Sequence, residues 1–341
     1  MRSTVIDIAR EAGVSVATVD RVLNSRAGVR ERTREIVLET AKRLGYFATN
    51  SISLPQTEGE VIRLDFVLPV GTNTFIQMLH DQLGAQGAAR PDLDVRINSI
   101  EGFNPDKLAR TLHDLPSETR GVGLIALDHP TVREAIRALS RNGIKVVTLA
   151  TDILYVPRIA YVGIDNRQAG RLAGQVVGRL LGVTGRPGKV ALFAGSLSYR
   201  GHQEREMGFR HILAEEFQKL QIVELREMGD DRERAYEEAS ALLSRHDDLS
   251  AFYNIGAGNL GIARALREHD RDKAIVFIGH ELTDGTKRLL LDGTMDAVID
   301  QNPRVEAREA LNILTHAVRD SPYEVHPPRL HLVLKENIPE V

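Results

Sequence analysis

From Val61 onward, short continuous apolar runs alternate with amphipathic stretches of helical period. Runs of Val, Ile, Leu and Phe with no polar alternation read as strands buried on both faces, and a helix after each strand supplies the covering layers. Strands are therefore expected over 62–70, 94–100, 121–127, 145–149, 160–164, 190–194, 221–228, 250–255, 274–278 and 296–299. Helices are expected over 75–89, 105–115, 131–142, 167–181, 203–217, 232–245, 258–268, 283–291 and 303–319. This is the pattern of parallel sheets covered on both faces. It restarts after the long helix at 167–181, which predicts two similar α/β lobes with chain crossovers near 161 and near 300.

The first fifty residues obey a different rule. Thr4 to Asn24 holds two short helical patterns around a break at Gly13-Val14-Ser15. Val5, Ile8, Ala9 and Ala12 share one face, and Val19, Val22 and Leu23 share another. Thr4 with Asp7 three residues on is a weak capping box, and Ser15 is an expected N-cap for the second helix. Gly13 can take the positive φ of a sharp inter-helix turn, and the small Ala9 lets the helices cross closely. This is a helix-turn-helix signature, whose second helix would present Val16, Ala17, Thr18 and Arg21 outward. A third helix is expected from about Glu31 to Leu44, stopped at Gly45. Residues 48–60 are polar, carry Pro55 and read as a linker or hinge. The expected domains are thus 1–47, the linker 48–60, and 61–341. Within the last, lobe 1 takes about 61–162 and 302–320, and lobe 2 about 163–301 and 321–341.

Charge supports the division. The first fifty residues carry nine basic and six acidic side chains, so the rest of a chain with net charge −3 is distinctly acidic. A basic head on an acidic body suits a small nucleic-acid-contacting module on a domain that should not itself adhere to DNA. The absence of Cys excludes disulfides, thiolate catalysis and Cys-based zinc sites. No run approaches a membrane span and the N-terminus lacks the apolar core of a signal peptide, so a cytoplasmic location without membrane contact is expected.

The head resembles the DNA-binding module of the LacI (lac-repressor-type) family of bacterial transcriptional regulators. The matching residues are Ile6 to Ala9, Ala12-Gly13-Val14-Ser15, Thr18-Val19, Arg21-Val22, Asn24, Val29, Thr33-Arg34 and Leu44-Gly45-Tyr46. The body resembles the periplasmic-binding-protein-like fold of these regulators, nearest the ribose-binding branch. There the matches are Val162 to Asn166 with Gly170, Arg205 with Gly208-Phe209, Gly279-His280-Glu281, Gln301-Asn302-Pro303 and Glu336 to Pro339. The implied fold is a three-helix helix-turn-helix head on a two-lobe α/β ligand-binding domain. Asp20 stands where the family has a small Ser, and Arg30 replaces a Ser cap. Pro55 falls near the family's minor-groove leucine, with Leu54 beside it.

The resemblance implies a homodimer on near-palindromic operator DNA. Arg21 would be the main base reader and Val16 and Ala17 would make apolar base contacts, while Thr4, Ser15, Thr18 and Asn24 would hold phosphates. The chain closes at Val341 without a leucine-heptad extension, so a dimer is expected over a tetramer. The resemblance also implies a small-molecule effector between the lobes, a sugar or polyol, at the C-terminal ends of the strands. Asn73, Phe75, Asp128, Asp152, Tyr199, Arg205, Asn254, Glu281 and Gln301 lie at such ends and are the expected effector residues, while His280 is expected to pack. No metal or cofactor is expected.

One motif competes with this reading. Gly256-Ala257-Gly258-Asn259-Leu260-Gly261 is a G-x-G-x-x-G between a strand and a helix, and Glu281 stands twenty residues further on. That is the dinucleotide fingerprint with its ribose acid, so the alternative is an NAD-dependent oxidoreductase or redox-sensing protein. Only Leu282 to Val341 then remains for the second half of such a fold, and the head is unexplained.

Overall fold

The computed structural model describes residues 4–23, 61–101, 103–182 and 187–339, with single positions at 29, 33, 36, 37, 40 and 41. Asn24, the linker 48–60 and most of the expected third helix lie outside the described residues, although positions 33, 36, 37, 40 and 41 are helical. Internal contacts divide the chain into residues 1–60 and 61–341.

In the first unit, α1 (Val5–Glu11) starts at Thr4, whose hydroxyl accepts from the Asp7 amide at 3.3 Å while the Asp7 carboxylate accepts from the Thr4 amide at 2.8 Å. This closes the capping box and satisfies two amides that a helix start leaves open. Gly13 holds φ +65° in the turn. Ser15 then caps α2 (Val16–Leu23), its Oγ accepting from the Thr18 amide at 3.1 Å. Ile8, Ala9, Val19, Val22, Val37 and Ala41 form the buried core.

The second unit contains two sheets. The first is built from β1 (Ile62–Val70), β2 (Leu93–Glu101), β3 (Thr119–Leu124), β4 (Lys145–Leu149) and β5 (Ala160–Val162), in the order β2-β1-β3-β4-β5, all parallel. Its helices are α3 (Thr74–Ala88), α4 (Pro105–His113) and α5 (Pro130–Arg141). The second sheet is built from β6 (Gly188–Ala194), β7 (Leu220–Glu227), β8 (Leu249–Asn254), β9 (Val276–His280), β10 (Ala297–Asp300) and β11 (His331–Val333), in the order β11-β10-β9-β8-β6-β7. Around it lie α6 (Asn166–Gly182), α7 (Arg200–Glu216), α8 (Arg232–Arg245), α9 (Asn259–Glu268) and α10 (Asp284–Leu291).

The strand character explains this layering. Along β8, Ala251 and Tyr253 join one buried cluster and Phe252 joins the cluster on the opposite face, so each of these positions is apolar and covered. The last helix, α11 (Pro303–Val318), returns to the first lobe, where Ala307, Ala310, Leu311 and Leu314 enter the core of the first sheet. The chain then crosses again to place β11 beside β10, antiparallel. An all-parallel second sheet is therefore corrected at its edge: three residues after a long irregular stretch give no periodicity to read. Both sheets reverse their strand order next to the first strand of the lobe, between β1 and β3 and between β6 and β8. Ligand crevices form outside the C-terminal ends of strands at such points.

Candidate functional site

The outward face of α2 is set by the core of the head. Burial of Val19 and Val22 turns Val16, Ala17 and Arg21 to solvent, and Val16 is 48 % exposed although apolar. An exposed valine at the first turn of a helix gains nothing from folding and is available for contact. Thr18 is half-buried, with its hydroxyl 2.8 Å from that of Ser15. Thr4 donates its hydroxyl proton to Asp7 at 2.7 Å, so this threonine serves the cap first.

In the body, a cavity opens at the C-terminal ends of the strands between the lobes. Six of the nine expected effector residues line it: Asn73, Phe75, Tyr199, Arg205, Glu281 and Gln301. Arg205 is buried on α7, donating from Nε to Asn166 Oδ1 at 2.7 Å and from Nη1 to the Ile255 carbonyl at 2.9 Å. Its position depends on Gly170 of α6, because a Cβ there would overlap the Arg205 carbonyl. Glu281 sits in the left-handed region, φ +71°, just beyond β9. Its residue surface is partly exposed but its carboxylate is enclosed, and burial pushes its pKa up to about 8 against the opposing Arg205 charge. Gln301 donates to Glu281 Oε1 at 2.7 Å, leaving Glu281 Oε2 and Gln301 Oε1 buried without partners. Glu306, behind them on α11, is fully buried, and burial with the nearby Glu281 holds its pKa well above the usual carboxylate range.

Three expected residues do not line the cavity. Asp128 pairs with Arg133. Asp152 pairs with Arg158 and accepts from Thr148 at 2.8 Å. Asn254 is fully buried and donates to the Ala257 carbonyl and to Asn259 Oδ1, at 2.9 and 2.7 Å. Each is a strand-end residue with a partner close by in sequence, so its side chain is spent on the loop it begins. His280 packs as expected, with its Nε2 2.9 Å from the Tyr253 hydroxyl.

The cavity also contains residues that sequence reasoning missed, notably Phe103, Thr151, Asn166, His202 and Asp230. Phe103 and Asp230 lie just past the ends of β2 and β7, and applying the strand-end rule to every strand would have found both. Asp230 joins the lobes. Its Oδ2 accepts from Asn73 at 2.9 Å, its carbonyl from the Thr72 hydroxyl at 2.8 Å, and its Oδ1 from the Ala257 amide at 2.9 Å. The Asp128 amide donates to the Ser198 carbonyl at 3.0 Å, and the Gly201 amide to Thr151 Oγ1 at 2.8 Å.

The glycine motif acquires a local role. Gly258 takes φ +93° as the N-cap of α9, and Gly261 lies against the Arg232 carbonyl. The Gly256 amide donates to Asn254 Oδ1 at 3.3 Å and the Ala257 amide donates to Asp230. A pyrophosphate would need such amides free, and here a carboxylate already stands among them.

Residues 64–321 match the family described as "Periplasmic binding protein domain", and residues 4–48 match "Bacterial regulatory proteins, lacI family". The chain is 29 % identical over 216 residues to catabolite control protein A of Priestia megaterium, covering 63 % of this chain and 62 % of that protein. The chain thus spans about three-fifths of the length of the catabolite control proteins it matches first. It is 26 % identical over 279 residues to the ribose import binding protein RbsB of Haemophilus influenzae, covering 79 % of this chain and 87 % of that one. Among solved structures, GanP, a glucose-galactose binding protein from Geobacillus stearothermophilus, superposes with a TM-score of 0.75 at 26 % identity, covering 83 % of this chain and all of that one. The chain belongs to the periplasmic binding protein domain family and carries at its head the helix-turn-helix module of lacI-family bacterial regulatory proteins.

Proposed function

We propose that this protein is a transcriptional regulator that binds operator DNA as a homodimer through α2, with an affinity set by a sugar or polyol held between the lobes. The observation that carries this reading is the presence, in one chain, of a capped helix-turn-helix with an outward Val16-Ala17-Arg21 face and a two-lobe cleft lined by residues whose buried polar atoms include two without protein partners. The relatives include catabolite control proteins and a ribose import binding protein, which supports the same combination. The boundaries are 1–47 for the head, 48–60 for the linker, and 61–341 for the sensor. The sensor performs no reaction on its ligand and works in the cytoplasm. Among the described residues no helix is long and apolar enough to cross a membrane.

Arg21 is the principal base reader, its guanidinium suited to a guanine edge, with Val16 and Ala17 making apolar contact. Closure of the lobes on the effector alters the paired heads and so couples the two binding events. Arg21→Ala is expected to remove about 1–3 kcal/mol of specific binding and to relax sequence preference, leaving effector binding unchanged. Selection of bound sequences from a random duplex library, combined with anisotropy titration of wild type and variant, measures both. An unchanged preference in the variant removes α2 as the reading helix.

A further inference from the structure

The walls of the cavity are chemically unequal. On the lobe 1 side the cavity meets Val70, Phe75, Ile76, Phe103 and Ile125, all apolar. The polar side chains that lobe 1 does bring each spend at least one bond on the protein. Thr72 donates to the Asp230 carbonyl, and Thr151 accepts from the Gly201 amide. Asn73 accepts from the Phe75 and Ile76 amides through Oδ1 and donates to Asp230 through Nδ2.

Open bonding capacity gathers on the opposite side and at the hinge. Arg205 uses Nε and Nη1 on the protein, and Nη2 makes no hydrogen bond among the described residues. Glu281 Oε2 and Gln301 Oε1 are buried without partners. A ligand that fits both walls presents hydroxyls along one edge and carbon along the other. A hydroxyl turned onto Phe103 and Ile76 would lose water and gain no side-chain partner, a loss on the order of tenfold or more in affinity.

From this division of the cavity we infer that the effector is a deoxy sugar, seated with its hydroxyl-bearing edge on Arg205, Glu281 and Gln301 and its deoxygenated edge against the apolar wall of lobe 1. The inference rests on the carbohydrate reading proposed above and narrows it. The methyl or methylene that replaces a hydroxyl is buried against Phe103 and Ile76, where it adds apolar contact in place of an unsatisfied group.

Matched pairs test it on the full chain by titration calorimetry: L-rhamnose against L-mannose, L-fucose against L-galactose, and 2-deoxy-D-ribose against D-ribose. The expected result is that the tightest binder is a deoxy sugar, held at least about tenfold more tightly than its hydroxylated parent. A parent that binds as tightly as its deoxy partner, or more tightly, overturns the inference and leaves the sugar-responsive regulator standing. Absence of heat and of thermal stabilisation with all six overturns the inference and the carbohydrate reading together.

Discussion

β1 and β6 hold equivalent places in their sheets, each lying between the second and third strands of its lobe. The segments just past them differ. β1 leads through Val70 to Thr72 and Asn73, whose polar atoms are taken by the α3 N-terminus and by Asp230. β6 leads to Tyr199 and the buried Arg205, which keeps a guanidinium nitrogen for the cavity. One topology thus supplies an apolar wall in one lobe and a polar wall in the other. A strand order decides where a ligand sits; the residues beyond the strand ends decide what it is.

The largest effect that could break this comparison lies outside the cavity. Gly170→Ala would drive a methyl into the Arg205 carbonyl, and backbone on the far side cannot yield as a flexible side chain can. A loss of about 3 kcal/mol in stability is expected from the overpacking, accompanied by weaker effector binding as Arg205 shifts. Chemical denaturation measures the first, and a change under about 0.5 kcal/mol would show that α6 and α7 can slide apart freely.

Arg205→Ala comes next. It removes the charged donor of the polar wall, with an expected loss of about 2–3 kcal/mol in effector binding and no change in DNA affinity without effector. Equal affinities by calorimetry would remove Arg205 from the site.

The third effect is on pH. Burial raises the folded-state pKa of Glu281 to about 8, above its ordinary value near 4.5, so the folded protein favours the protonated carboxyl. The stabilising contribution is complete below pH ~4.5 and is lost as pH rises toward ~8, at no more than about 1.4 kcal/mol per pH unit. Arg205 opposes the shift, while Asp300 and Asp230 reinforce it. Glu281→Gln should flatten this part of the stability profile, with its largest gain near pH 8 and little near pH 4.5. Parallel profiles for the two proteins would mean that the carboxyl stays charged in the fold.

Smallest is Val70→Thr, an isosteric change at a 44 % exposed position on the apolar wall. Stability should move by less than about 0.5 kcal/mol, while preference for a hydroxylated sugar over its deoxy partner improves a few-fold, because lobe 1 gains a group that can pair. An unchanged preference would show that Val70 does not face the ligand.

Much of the fold was legible because its signals are local. Strands apolar at nearly every position announced sheets covered on both faces, and Thr4 with Asp7, and Ser15 as a cap, announced two helix starts that the structure closes through bonds spanning three residues. The β11 edge strand was not legible, being three residues paired by position alone. At the cleft, proximity to a strand end located the neighbourhood but not the direction of each side chain. Asp128 and Asp152 looked like ligand groups until Arg133 and Arg158, a few residues further along, claimed them. Asp230 had only its place just past β7 to mark it, since its partners Thr72 and Asn73 are more than 150 residues away.

The chain passes between the lobes three times, after β5, after β10 and again after α11. Three crossings of this kind, like a door hung on three leaves, would let the lobes of the proposed sensor swing while resisting shear and twist. In the proposed sensor, binding energy from the cleft would then favour a single hinge rotation, and cutting any one crossing would leave the two lobes joined by the remaining pair.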